Sequence, residues 1–223
     1  MQLKHVIIAL SVFLSVLLAG AFIYRYGFKS SGIVADDDST AVQDTVVPVV
    51  MGSSEWKERK GEDVERKNCF LVVSKTDYKL YVCEVKDKDT LIVASFPVCY
   101  AKNKGQKTRE GDCCTPECSF EHPFYISEIK NASTWCHDFK DGRGKILAYG
   151  KWFMRLDLSE AFPDNEAVAK NRSIGIHGST NNESSVPGNA SEGCIRLRDA
   201  DLDSLHDNYA YEGQKVIVLP YQK

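Results

Sequence analysis

The polar stretch "IHGSTNNESSVPGNASEGCIRLRDAD" (residues 176–201) carries an imidazole at His177 and a thiol at Cys194. Together these groups can perform acyl transfer. A cysteine acts as a nucleophile when a local field favours thiolate over thiol and backbone donors can meet the oxyanion it creates. Arg196, just beyond the thiol, supplies permanent positive charge that can lower a free thiol from its usual ~8.5. It can equally grip a substrate carboxylate through its two-pronged guanidinium. Gly193 has no Cβ, so it permits unusual φ/ψ and lets a carbonyl approach the Gly193 and Cys194 amides, the candidate oxyanion donors. His177 closes the apolar run "SIGIH" ahead of Gly178, a strand end where a general base can face a loop. The Gly, Ser, Asn and Pro between them suit a turn-back that returns sulfur to imidazole. Taken alone, a cysteine in an exported chain is more often half of a disulfide. A histidine at a strand end is more often a satisfied polar group.

The elements that must position this pair read as strands. "CFLVVSK", "YKLYVCEV" and "TLIVASFPVCY" are short runs rich in Val, Ile, Tyr and Phe, separated by turn-like "KTD" and "KDKD". "KWFMRLDL", "RSIGIHG" and "QKVIVLP" read the same way. One helix follows the cysteine: Asp199 is placed to cap it, and Leu202, Leu205 and Tyr209 share a face. The expectation is a β-rich domain with one or two short helices, with ordered structure beginning near Asn68.

The chain has 223 residues and a net charge of −3, room for about one such domain. It has no basic stripe with interleaved aromatics, no P-loop and no GxGxxG, so nucleic-acid and nucleotide partners are disfavoured. Residues 6–24 are uncharged and apolar between Lys4 and Arg25. At ~1.5 Å per residue they come close to spanning a bilayer. Ala19 and Ala21 would suit a signal-peptidase site, yet apolar character continues through Phe22, Ile23 and Tyr24, which fits an uncleaved anchor better. Residues 1–28 are therefore read as a membrane anchor or signal segment. Residues 29–67, small, acidic and densely charged, read as a flexible linker. Residues 68–223 form the folded domain. The arrangement is single-pass in the cytoplasmic membrane, with the domain facing the periplasm or the cell exterior. Eight cysteines suit an oxidising compartment; with Cys194 free, at least one more thiol stays unpaired.

"IHGS" followed by "S-x-GCIR" resembles the active-site signature of the L,D-transpeptidase catalytic domain family. Upstream, "KNKGQKTREGDCCTPECSFEHPFYI" resembles that family's approach segment through Thr108, Gly111, Asp112, Thr115, Pro116 and Phe120. The similarity covers residues 68–219, and the two motifs stand in the family's order. It implies a mixed β-sheet or sandwich fold, with Cys194 as nucleophile and His177 as general base. The Gly178 backbone would orient the imidazole, and Ser191, Gly193 and Arg196 would shape the oxyanion and substrate pocket. The implied substrates are peptidoglycan stem tetrapeptides, attacked at the third residue with loss of the terminal D-alanine and formation of a thioacyl-enzyme. An amine acceptor then gives a 3→3 cross-link in cell-wall biogenesis and cell shape, while water gives L,D-carboxypeptidase activity. A non-catalytic peptidoglycan-binding envelope module is the rival reading. No cofactor or metal is required, and carbapenem-type acylating inhibitors should react. Three positions depart from the family pattern: Arg109 stands where proline is common, Cys118 where glycine is common, and Glu192 where histidine is frequent.

Other residues have plainer readings. Cys113, Cys114, Cys118, Cys136 and His137 lack the paired spacing of structural zinc sites, so a disulfide drawn from those four cysteines is the stronger expectation. Cys69 and Cys83 either pair across a hairpin or serve as small core residues; Cys99 reads as buried and free. His122 and His137 are expected on surface loops, and His206 facing solvent or capping the helix. Trp152 and Phe153 read as core residues before glycan-groove residues, and Trp135 remains a groove candidate.

Overall fold

β-Branched and aromatic runs pack well on a pleated surface covered from both sides, and most of the apolar runs form strands. The structure is a computed structural model that describes residues 57–58, 64–86, 89–171 and 173–222. In chain order the elements begin with β1 (Lys57–Glu58), β2 (Cys69–Ser74), β3 (Lys79–Lys86), β4 (Asp89–Pro97) and β5 (Cys99–Ala101). Next come β6 (Phe124–Asn131), β7 (Cys136–Asp138), β8 (Lys145–Leu147), β9 (Trp152–Asp157) and the short helix α1 (Glu166–Ala169). Then follow β10 (Gly175–His177), β11 (Gly188–Ser191), β12 (Ile195–Arg196), α2 (Asp199–Asn208) and β13 (Lys215–Leu219). Eleven strands join in one mixed sheet, ordered β1-β4-β3-β2-β13-β6-β9-β10-β12-β5-β11, and β7 and β8 form a separate hairpin.

At the middle of the sheet β2 pairs antiparallel with β3 and parallel with β13. Both faces are covered there. Leu71 and Val73 enter the main core, whereas Val72 joins Cys83 and Ile217 in a smaller cluster. Coverage on two sides explains why β2 and β13 read as near-continuous apolar runs rather than alternating ones. The register also decides the fate of two cysteines. Phe70 stands opposite Cys83 and Cys69 opposite Glu84, so by alternation Cys69 and Cys83 project from opposite faces. They are core residues and do not pair.

All eight cysteines lie among the described residues as free thiols, so the disulfide expected among Cys113, Cys114, Cys118 and Cys136 is not formed. Each of these sulfurs takes a local backbone partner instead. Cys118 accepts from the Val218 amide at 3.2 Å, and Cys114 contacts the Asp112 carbonyl at 3.6 Å. Cys113 contacts the Gly111 carbonyl at 3.7 Å, and Cys136 contacts the Thr134 carbonyl at 3.8 Å on the hairpin.

Helix α2 buries Leu202 and Leu205, with Tyr209 packed partly against the core, as the sequence implies. The cap differs. Arg198 holds the N-cap position without a side-chain cap bond, because the Asp199 carboxylate turns back to accept from the Ser179 amide at 2.8 Å and from the Thr180 hydroxyl. His206 does not simply face solvent: its ring stacks on Trp152 with centroids 3.7 Å apart.

Ordered structure starts ahead of Asn68. Lys57 and Glu58 pair parallel to Leu91 and Ile92, and Arg66 donates to the His206 carbonyl at 2.8 Å and to the Ala210 carbonyl at the end of α2. The segment read as anchor (1–28) and most of 29–67 lie outside the described residues. Among the described residues no helix is long and apolar enough to cross a membrane.

Candidate active site

Strands β10 and β12 run parallel, with Ile176 beside Ile195 and His177 beside Arg196. The two isoleucines enter the core. By strand alternation His177 and Arg196 face the other way, as does Cys194, the residue leading into β12. On that side lies a cavity of about 180 Å³ whose wall includes Cys194, His177, Ser191, Gly193, Arg196 and Tyr149. The polar run between base and thiol does fold back, and part of it is itself a strand: β11 pairs parallel with β5.

His177 is buried, 5% exposed. Its Nδ1 lies 2.7 Å from the Gly178 carbonyl oxygen. A carbonyl can only accept, so Nδ1 carries the proton and Nε2 keeps its lone pair. The ring sits between Tyr149, 4.7 Å away, and Phe153, nearly parallel at 5.6 Å. Burial pushes the imidazole down to about 3; the Gly178 carbonyl opposes this, and the charges of Arg196 and His137 add to it. The imidazole is therefore neutral at rest. Gly178 lies behind the ring rather than in the cavity wall, and its own amide donates to the Tyr149 carbonyl at 2.7 Å.

Cys194 is half-buried against the cavity, and its thiol donates to the Ser173 carbonyl at 3.1 Å. Burial pushes the thiol up to about 11, opposed by the Gly175 amide and by the charges of Arg196, Lys107 and Arg155. The resting pair is thus thiol and imidazole, not thiolate and imidazolium. Gly193 adopts φ +154°, and a Cβ there would come within 2.7 Å of Ile174 Cδ1, so the turn needs glycine. Ser191 fixes this turn: its hydroxyl accepts from the Gly193 amide at 3.1 Å and donates to the Cys194 carbonyl at 2.6 Å. The Gly193 amide is thereby taken up, leaving the Cys194 amide as the candidate oxyanion donor.

Arg196 is buried, 4% exposed, and one Nη donates to Cys99 Sγ at 3.1 Å. Its Nε is buried without a hydrogen-bond partner among the described residues, and the residue lines the cavity, where its charge can attract an arriving anionic group. Cys99 is buried and free, as read from sequence.

Two wall residues escaped the sequence reading. Tyr149 packs on the imidazole, and His137, expected on a surface loop, lines the cavity from the β7–β8 hairpin. Phe153 is core, but core that backs His177. Trp135 borders an adjoining cavity of about 550 Å³ with Arg155, Phe153 and Cys136, and this cavity shares Tyr149 and Ser173 with the first. His122 is exposed on a loop, as expected.

The neutral pair leaves a mark on stability. An unfolded chain protonates His177 near 6.5, whereas the folded site holds it neutral down to about 3. The unfolded state thus binds more protons in that window, and stability falls as pH drops through it. At the other end the folded thiol keeps its proton from about 9 to about 11, so stability falls as pH rises across that range. Denaturant midpoints of the wild type should fall more between pH 7 and pH 4.5 than those of His177→Gln. Equal falls would show that His177 does not titrate this way.

The chain matches the L,D-transpeptidase catalytic domain, YkuD, over residues 70–218, and it belongs to that family. Among solved structures it is similar to Bd1075 of Bdellovibrio bacteriovorus, at 19% identity and TM-score 0.48, covering 69% of this chain and 48% of that one. It is similar also to the helical cell shape determining protein Pgp2 of Campylobacter jejuni, at 19% identity and TM-score 0.46, covering 70% and 48%. A third, an L,D-transpeptidase of Mycobacterium smegmatis, has 14% identity and TM-score 0.43, with 68% and 58% covered. The chain spans about half the length of the first two. No curated protein matches it.

Proposed function

We propose that this protein is a cell-envelope cysteine L,D-transpeptidase acting on peptidoglycan stem tetrapeptides. The observation that carries the reading is the shared cavity of Cys194 and His177, with Nδ1 tied to the Gly178 carbonyl so that Nε2 is the base. As sulfur attacks the carbonyl of the third stem residue, its proton passes to Nε2. The Cys194 amide meets the oxyanion, and the Arg196 charge attracts a substrate carboxylate into the cavity. The imidazolium then protonates the departing D-alanine amine, leaving a thioester on Cys194. An acceptor amine attacks the thioester, gives its proton to Nε2, and the thiol is restored as the acyl group leaves. Forming the thiolate only during attack suits a pair that burial keeps neutral at rest. The residues 1–28 anchor would hold the domain on the outer side of the cytoplasmic membrane, where this substrate lies.

The test is incubation of the full chain with disaccharide tetrapeptide, with and without an added amine, and product analysis by mass. The reading requires D-alanine release; cross-linked dimer marks transpeptidation, and tripeptide alone marks the carboxypeptidase. In a parallel sample a carbapenem should add its mass at Cys194. Unchanged mass together with no D-alanine would identify a non-catalytic binding module.

A further inference from the structure

Lys107 is 2% exposed. Its ammonium bonds Asp112 Oδ1 at 2.8 Å, and it has no other hydrogen-bond partner among the described residues. Asp112 is fully engaged: its carboxylate also accepts from the amides of Thr108 at 2.8 Å, Arg109 at 3.1 Å and Cys114 at 3.0 Å. Most of that negative charge is therefore spent on its own turn. The same turn backs onto the nucleophile. A Cβ built on Gly193 would stand 3.4 Å from the Cys114 carbonyl and 4.0 Å from Lys107 Nζ. The ammonium thus lies under the Gly193–Cys194 turn.

A buried ion pair is weak ground for stability, because desolvation offsets most of its attraction. The position of Lys107 calls for another account. We propose that Lys107 is a positioning residue, a buried positive charge that favours the Cys194 sulfur as it becomes anionic. The proposal rests on the acyl-transfer reading above. Lys107 is also among the charges that pull the thiol downward against burial. Burial would raise the Asp112 carboxyl, but Lys107 and the three amides hold it well below the usual carboxylate range, so it is a carboxylate at neutral pH. The other groups facing the sulfur are His177 from β10, Arg196 from β12, Arg155 from β9, and Lys102, Tyr149, Glu192 and His137 at the cavity wall. Lys107 alone reaches it from behind the turn.

The test is the rate of iodoacetamide alkylation at Cys194 against pH, read by peptide mass on the full chain, for wild type, Lys107→Met and Asp112→Asn. Lys107→Met should slow alkylation at pH 7.5 by ~10-fold and move its midpoint up by about one pH unit. Asp112→Asn keeps the ammonium and removes its counter-charge, so alkylation should match or exceed the wild type. A Lys107→Met profile that superimposes on the wild type overturns the proposal. So does equal slowing in both variants, the mark of a purely structural pair. If Lys107→Met does not fold, Asp112→Asn still decides, since slower alkylation there overturns the proposal. Alkylation needs no stem peptide, so a wild type that alkylates as described but releases no D-alanine sinks the reaction and not the role of Lys107.

Discussion

Exchange of Cys194 for alanine is expected to lower D-alanine release from disaccharide tetrapeptide by about 10⁴-fold or more, the scale seen when a covalent nucleophile is deleted. Of the other described thiols, Cys69, Cys83 and Cys99 are buried in the sheet, and Cys118 is engaged with the Val218 amide. Cys136 is exposed on the hairpin and borders the adjoining cavity. The fold should survive, because the half-buried thiol gives up only its bond to the Ser173 carbonyl and its interaction with the Gly175 amide, each worth about 1 kcal/mol. A near-native denaturation midpoint with lost turnover therefore separates chemistry from folding. Cys194→Ser should be almost as inactive, since its hydroxyl is a far weaker acid than a thiol. Release at the wild-type rate in Cys194→Ala would remove the thioester from the mechanism, whatever the cavity looks like.

The chemistry was the most legible part of the chain because it is written in local order. "IHGS" and "SEGCIR" place histidine, glycine, cysteine and arginine on neighbouring residues of two short strands, and it is their resemblance to a family signature, not type and spacing alone, that singles them out. The central strands were legible for a related reason: a sheet covered on both faces selects unbroken apolar runs such as "CFLVVS". What stayed hidden depends on register and docking. That Cys69 and Cys83 point to opposite faces follows from a pairing offset of one residue, which their separation along the chain does not contain. Tyr149 reaches the imidazole, and His137 the cavity wall, only because the β7–β8 hairpin and its exit fold over the cavity. Asp199 looked like a helix cap by type, yet a carboxylate can accept from any nearby donor, and the nearest are the Ser179 amide and the Thr180 hydroxyl across the loop. The Gly193 amide read as free until the Ser191 hydroxyl was found beneath it.

That loop carries the second large effect. Gly178→Ala is expected to cost about 2 to 3 kcal/mol of stability and to cut turnover by roughly 10²-fold. A Cβ at Gly178 would stand 2.3 Å from Asp199 Oδ1 and 2.7 Å from Gly150 Cα. One neighbour is a carboxylate held by the Ser179 amide. The other is backbone at φ +70°, tied through its amide to the Thr180 hydroxyl at 3.1 Å. Neither can yield without moving the segment. The carbonyl of Gly178 holds His177 Nδ1, so any shift of this residue rotates the imidazole and carries Nε2 away from the sulfur. On the proposed mechanism the defect should therefore appear in kcat more than in KM, because there the ring moves protons and does not hold the stem peptide. Carbapenem acylation should slow in step, since it uses the same base. Asp199→Ala added to Gly178→Ala removes the nearer clash but leaves Gly150 in place, and should return only part of the stability. A Gly178→Ala protein with wild-type kcat would mean that the Gly178 carbonyl does not set the imidazole, and the proton path would need a different anchor.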